Sequence, residues 1–300
     1  MDGQTRRDLI GIAWMVVAGL CFVAVNGIVR GLGGALPASQ AAFIRFAFGL
    51  LFLGPVLAPA LRTGFSRPVW RLFGLRGMMH VAAVVAWFYA MSRIPVAEVT
   101  AIGYLNPIVV TIGAALFMGE TISTRRISAI VVALLGALIV LRPGVRELDP
   151  GHLAQVAASI CFGASYLIAK RLAGLAPPAV VVAMMSLTVT IGLLPLALAV
   201  WVPPTAAQTA WLALVAVFAT TGHYAMTRAF AAAPLTVTQP VTFLQLIWAS
   251  LLGWIVFHEP LDGWVILGGA LMIGAISYIT WREARVRRRA VTPPVNATKG

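Results

Sequence analysis

Charge is what this sequence has least of: only 10% of its 300 residues are Asp, Glu, Lys or Arg, and nine of them are acidic. An ordinary soluble domain carries about 25%, so a water-solvated globule is excluded. The nine carboxylates are Asp2, Asp8, Glu98, Glu120, Glu147, Asp149, Glu259, Asp262 and Glu283. All fall at or beyond the ends of apolar runs, which argues against a carboxylate proton relay in the middle of a span. Cysteine is equally scarce. Cys21 and Cys161 both lie inside apolar runs, where they serve as small packing residues rather than as a disulfide or a metal site.

Catalytic signatures are missing as well. There is no Gly-x-Ser-x-Gly, no His-Glu-x-x-His, no glycine-rich phosphate loop and no His, Cys or carboxylate cluster at metal spacing. We therefore expect no enzyme activity, no cofactor and no metal. No connection between apolar runs is long enough to fold as a soluble domain.

What the chain does have is apolar length. Hydrophobic residues make up 60% of it and the mean hydropathy is +0.93. Ten runs approach the roughly 20 residues of a membrane-spanning helix. They cover Leu9 to Arg30, Ser39 to Leu61, Arg71 to Ser92, Val96 to Met118, Ile127 to Leu141, Gly151 to Leu172, Pro178 to Val202, Gln208 to Arg228, Leu235 to Phe257 and Leu261 to Trp281. Arg6 and Arg7 ahead of the first run would also suit a signal peptide, but no small-x-small cleavage site closes that run.

The net charge of +13 would suggest nucleic acid in a soluble protein. Here the basic residues lie between the spans, so they set topology and no nucleic-acid partner is expected. One side collects Arg6, Arg7, Arg62, Arg67, Arg71, Arg125, Arg126, Lys170, Arg171, Arg228 and the tail cations, and the other only Arg30, Arg93, Arg142 and Arg146. The positive-inside rule then puts both termini in the cytoplasm.

The spans repeat. Ala90 to Glu120 aligns without a gap on Ala229 to Glu259: Pro95 falls on Pro234, Tyr104 on Phe243, Leu105 on Leu244, Asn106 on Gln245 and Glu120 on Glu259. Gly11, Ala18, Cys21, Phe22 and Ala24 likewise fall on Gly151, Ala158, Cys161, Phe162 and Ala164, with Asn26 on Tyr166 and Arg30 on Lys170. Five spans per unit is an odd number, so the second unit enters from the opposite face. The expected fold is an all-α membrane protein of ten transmembrane helices arranged as two inverted five-helix repeats, residues 1–145 and 146–283. A basic disordered tail, residues 284–300, follows. Such inverted repeats build secondary transporters, with the site near the midplane between them.

Several features resemble the EamA-type transporters of the drug/metabolite transporter superfamily. They are the two five-helix units, the proline entering the fourth helix of each, the Gly119-Glu120 and His258-Glu259 ends, and the Ala42-Phe43-Ile44-Arg45-Phe46 start of the second helix. The resemblance spans about Leu9 to Trp281. It implies ten helices, a bacterial inner membrane and transport of small metabolites, often as exporters of amino acids or related compounds. In the second unit Met185 stands where Arg45 would recur.

Polar and aromatic groups inside the spans are the candidate substrate-binding residues, because such groups are costly in lipid unless they face a cavity or a partner. Asn106 and Gln245 sit mid-span among small residues, which equally suit helix packing. Pro107 and Pro240 each remove a backbone hydrogen bond, so a break is expected there, with Tyr104, Gln239 and Phe243 beside it. Arg76, His80 and Trp87 share a face of the third span. His80 lies near mid-depth and is either bonded to another helix or placed to bind substrate and carry any coupling proton. Tyr166 and Asn26 occupy matching positions. Arg45 either snorkels or binds a carboxylate. Glu120 and Glu259 suit the first turns of the fifth and tenth helices, and Glu98 could pair with Arg93 at the outer mouth.

The expectation is a secondary transporter that moves a small amphiphilic metabolite by alternating access. An aromatic amino acid leads, a riboflavin-like or drug-like compound follows, and a polytopic membrane enzyme is the rival class. Expected partners are the small-molecule substrate and the lipid bilayer, with proton coupling admitted and the chain a monomer or weak homodimer.

Overall fold

The computed structural model describes residues 3–118, 124–145, 147–172, 174–233, 241 and 244–291. Among them every regular element is an α-helix, as expected of chain in lipid, where each backbone N–H and C=O must find a partner within its own segment. The helices are α1 (Gly3–Leu32), α2 (Ala38–Thr63), α3 (Arg67–Arg93), α4 (Val96–Gly103), α5 (Leu105–Met118), α6 (Thr124–Leu141), α7 (Pro150–Leu172), α8 (Pro178–Ala199), α9 (Ala206–Ala232), α10 (Leu244–Phe257) and α11 (Gly263–Val291). Seven are long and apolar enough to cross a membrane when α4 and α5 are taken as one span, and Ile127–Leu141, Leu244–Phe257 and Gly263–Tyr278 are shorter apolar helices. A described helix therefore stands in each of the ten expected runs, the ninth represented by Leu244–Phe257.

The fourth span is broken where proline chemistry requires it. α4 stops at Gly103, Tyr104 forms the joint with its N–H bonded back to Ala101 at 3.1 Å, and α5 starts at Leu105. Pro107 has no N–H to offer the Gly103 carbonyl one turn earlier, so the helical ladder fails at that point. The corresponding break expected at Pro240, with Gln239, Phe243 and Glu120, lies outside the described residues. At the C-terminus α11 runs on to Val291, into the stretch expected to be a disordered tail. Arg and Ala are good helix formers, and the apolar part of the helix supplies the nucleus from which such a run extends.

The packing order shows the two-fold relation of the halves. α1 leaves the N-terminal face, whereas α7, its repeat mate, starts from the opposite face and runs back. α3 packs on α7 and, as the mate of that contact, α9 packs on α1; α5 on α7 is mirrored by α10 on α1, and α3 on α8 by α9 on α2. The mates α2 and α8 pack directly together, as do α6 and α11. Where α6 crosses α11 the contact is reciprocal: a Cβ built on Gly136 would meet the Gly268 carbonyl oxygen at 2.7 Å, and one on Gly268 the Gly136 oxygen at 2.5 Å. Only glycine permits backbones this close.

Local chemistry fixes several ends. Thr205 and Gln208 form a capping box at the start of α9, the Thr205 hydroxyl accepting from the Gln208 N–H at 3.2 Å while the Gln208 amide oxygen accepts from the Thr205 N–H at 2.8 Å. Gln40, fully buried in α2, uses its amide like a peptide unit: it donates to the Val202 carbonyl at 2.6 Å and accepts from the Val202 N–H at 2.9 Å. That pair ties α2 to the segment following α8.

Ion pairs collect on the face opposite the N-terminus. Arg30 meets Glu259, Arg93 meets Asp149 at 3.0 Å, Arg142 meets Asp262, and His152 meets Glu98. The expected Glu98–Arg93 contact is thus not formed. Each residue has a nearer partner supplied by the start of α7, which Glu98 reaches from α4 and Arg93 from the end of α3. Glu259 does not cap the tenth span, α11, either; Asp262 accepts the Trp264 N–H there at 2.9 Å. The Glu259 carboxylate accepts the N–H of Val96 at 3.0 Å and so caps the start of α4, because His258, at φ 54°, turns the chain back over the helix end.

Candidate functional site

The break at Tyr104 faces α7. That helix carries Gln155, Ser159, Phe162, Gly163 and Tyr166 at intervals of one, three and four residues, a stripe along one face. Ser159 donates to the Ile102 carbonyl at 3.2 Å, just before the break. A Cβ on Gly103 would sit 3.7 Å from the Gln155 amide nitrogen, and one on Gly163 would sit 3.1 Å from the Asn106 carbonyl oxygen. Tyr104 lies near Leu246 of α10, next to half-buried Gln245. Asn26 of α1 donates to the Thr100 hydroxyl at 3.4 Å. The broken span is thus held by polar contacts from α1 and α7.

Two acceptors beside this break are buried without a hydrogen-bond partner: Oδ1 of Asn106 and Oε1 of Gln155. A buried unsatisfied acceptor costs about 1–3 kcal/mol, so these two need a ligand or a second conformation to account for them. Asn106 was expected from sequence. Gln155, only 3% exposed, was not, although its spacing to Tyr166 on one helical face was a usable signal.

Deeper in the molecule lies a second cluster. His80 in α3 has its Nδ1 3.1 Å from the Ser165 hydroxyl and meets Phe46 and Phe162 edge-on at 5.8 and 5.1 Å. Phe162 stacks on Tyr166 with centroids 6.1 Å apart and planes 14° apart. Leu153 and Ile160 mark the outward stripe of α7, and at about 100° per residue Tyr166 lies about 120° from Ile160. Tyr166, 39% exposed, therefore lies off that outward stripe, on the side of α7 that carries buried Gln155 and Ser159.

Arg45, Arg76 and His223 complete this cluster. Arg45 and Arg76 both lie within electrostatic range of Tyr166, and His80 lies within range of Arg45, Arg76 and His223. Arg76 donates to the Val181 carbonyl at 2.8 Å while its Nε has no partner, and Arg45 lies 4.0 Å over the Phe46 ring. His223 meets Phe22 edge-on at 5.1 Å. Among the described residues neither arginine is matched by a carboxylate. Two guanidiniums without carboxylates within a membrane bundle are expensive, and the Val181 carbonyl and the Phe46 ring offset part of that cost. The sequence indicated Arg45, His80 and Tyr166. Arg76 was noted only for sharing a face with His80, and His223 joins through the tertiary structure.

Of the remaining expected residues, Trp87 is half-buried and packs edge-on against Phe88 at 5.1 Å. Gln239 and Phe243 lie outside the described residues. A cavity of about 240 Å³ opens on the face opposite the N-terminus between the ends of α1 and α3 and the start of α2, lined by Val29, Pro37, Phe88, Tyr89 and Arg93. None of the expected site residues lines it.

Comparison with known proteins places this architecture. The chain is 31% identical over 294 residues to a riboflavin transporter of Rhizobium johnstonii, covering 95% of this chain and 96% of the relative. It is 27% identical over 300 residues to an S-adenosylmethionine uptake transporter of Rickettsia prowazekii, covering 95% and 97%. It is 27% identical over 270 residues to a pseudopaline exporter of Pseudomonas aeruginosa, covering 88% and 94%. A solved crystal structure superposes with a TM-score of 0.60 at 20% identity, covering 94% of this chain and 99% of the other, which supports the fold. Residues 9–142 and 149–281 each match the EamA-like transporter family, once per five-helix half; the chain belongs to that family.

Proposed function

We propose that this membrane transporter carries a neutral, flat heteroaromatic compound bearing a hydroxylated side chain, of the riboflavin class, between its halves 1–145 and 146–283 by alternating access. The observation that carries the reading is the pairing of two guanidiniums lacking carboxylates, Arg45 and Arg76, with the stacked rings of Phe162 and Tyr166. An isoalloxazine ring offers a large π-face and carbonyl acceptors for Arg donors. Its polyol chain offers hydroxyl donors for Asn106 and Gln155, nearer the broken span. Asn26, His80, Trp87, Tyr104 and Gln245 supply the rest of the proposed lining, with Gln239 and Phe243 joining from the ninth span. The likeness to the riboflavin transporter of Rhizobium johnstonii supports the same reading.

S-adenosylmethionine fits less well, since its sulfonium cation would meet two arginines. An aromatic amino acid is the second reading: its carboxylate suits Arg45, but among the described residues no carboxylate pairs with Arg45 or Arg76 or joins their cluster with His80 and Tyr166 to meet its ammonium group. We further propose that both termini are cytoplasmic, which the distribution of Lys and Arg supports, and that the membrane is a bacterial inner membrane, which the likeness to bacterial transporters supports.

The test is flavin fluorescence quenching by purified protein, with uptake into proteoliposomes run against tryptophan and S-adenosylmethionine. Saturable riboflavin binding that neither competitor displaces is expected. Transport of either competitor in preference to riboflavin overturns the assignment.

A further inference from the structure

We propose that Glu98 and His152 form a proton-binding site, and that the coupling proton is loaded and released there as the face opposite the N-terminus closes and opens. The inference rests on the transport reading above but concerns a different place in the fold.

Glu98 lies in the first turn of α4 and His152 in the first turn of α7, and each is 4% exposed. Their Nε2 and Oε2 atoms are 2.6 Å apart. The other ring nitrogen, Nδ1, is 3.1 Å from the backbone carbonyl of Asp149. A carbonyl oxygen can only accept, so Nδ1 carries a hydrogen. Across the 2.6 Å contact, a lone pair on Nε2 facing an ionised carboxylate would repel it, so a second hydrogen lies between the two atoms. The dyad is either imidazolium with carboxylate or imidazole with carboxylic acid. In both forms it holds one proton more than a neutral histidine beside an ionised glutamate.

The neighbouring charges single this pair out. Around α4 stand Arg30 from α1, Arg93 from α3, Arg142 from α6, Asp149 ahead of α7, Glu259 beyond α10 and Asp262 ahead of α11. All six are matched as arginine–carboxylate pairs. Arginine does not deprotonate in proteins. Glu98–His152 is the described pair on this face made of two groups that can both exchange a proton. Loss of the shared proton leaves a buried carboxylate facing a lone pair, which pushes α4 away from α7. Because α4 ends at the Tyr104 joint beside Asn106 and Gln155, the same movement reaches the proposed substrate site. His80, the histidine expected from sequence to carry a proton, faces a serine hydroxyl that serves a neutral ring equally well, so its geometry demands no extra proton.

The test compares wild type, Glu98→Gln and His152→Gln in proteoliposomes, using riboflavin counterflow and gradient-driven accumulation. With one proton per substrate, a gradient of one pH unit gives about tenfold accumulation in wild type. Both variants should retain counterflow, which also shows that they fold, and lose the accumulation. Accumulation that persists in either variant, or wild-type movement that ignores the gradient, overturns the proton site and leaves the transport reading standing. If riboflavin moves in neither assay, the transport reading falls. The dyad is then judged by ¹⁵N NMR of histidine-labelled wild-type protein: a strongly hydrogen-bonded Nε2 proton that vanishes in Glu98→Gln supports the site, and its absence in wild type overturns it.

Discussion

Arg30 and Glu259, 229 positions apart in sequence, meet at 2.8 Å on the face opposite the N-terminus. The same carboxylate caps α4 through the Val96 N–H, and Arg30 also donates to the Met91 carbonyl at 3.1 Å. One ion pair therefore fixes the ends of α1, α3, α4 and α10. Glu259→Ala should lower stability by about 3 kcal/mol, because it strands a partly buried guanidinium and an uncapped N–H. Glu259→Gln, which keeps an acceptor for Val96, should lose less. Thermal unfolding in detergent checks the order, and equal losses would show that the cap contributes nothing.

The crossing of α6 and α11 predicts a sharp glycine requirement. Gly136→Ala and Gly268→Ala each force a Cβ onto a carbonyl oxygen and should cost about 1–3 kcal/mol. Gly274→Ala in α11, where an added Cβ meets nothing within 4 Å, should have no cost. If all three variants melt alike, the close crossing is not formed in the membrane.

Gln155→Met should stabilise the protein while weakening transport. The change removes an unpartnered acceptor from the interior, which is worth about 1 kcal/mol or more, and deprives a hydroxylated substrate of that acceptor. Unfolding and riboflavin affinity measured on the same preparation decide the matter. A destabilised variant with unchanged affinity would make Gln155 a packing residue.

Tyr166→Ala should reduce flavin affinity by several-fold, each lost ring contact being worth about 0.5–1.5 kcal/mol beyond burial, whereas Tyr166→Phe should keep it. Equal loss in both variants would place the contribution in the hydroxyl instead of the ring.

Asp149, in the connection ahead of α7, is held below its ordinary pKa of 3.8 by the Gly151 N–H and then by the Arg93 guanidinium. A depressed carboxylate contributes stability that is fully present above its ordinary pKa and is lost as pH falls through the lower folded value. Asp149→Asn should therefore behave like wild type at the acid end and fall below it at neutral pH. A constant difference across an acid titration of the melting temperature would refute the linkage.

Much of this architecture was legible in the chain. Span length, the odd number of spans per repeat, the charge asymmetry and the break at Pro107 are local or periodic properties, and lipid leaves a backbone little choice but helix. Arg45, His80, Asn106 and Tyr166 stood out because polar groups inside apolar runs are rare. Sequence could not say which helix faces which. Glu98 and Arg93, five residues apart, looked like partners, yet packing of α7 beside α3 and α4 gives them His152 and Asp149 instead. Glu259 seemed placed for its own helix and caps another, because a left-handed His258 redirects the chain. Gln155, Arg76 and His223 joined the candidate site only through tertiary structure. A polar side chain on a spanning helix shows the same spacing whether it faces a cavity, a neighbour or a membrane end, and only the packed azimuth of the helix tells these apart.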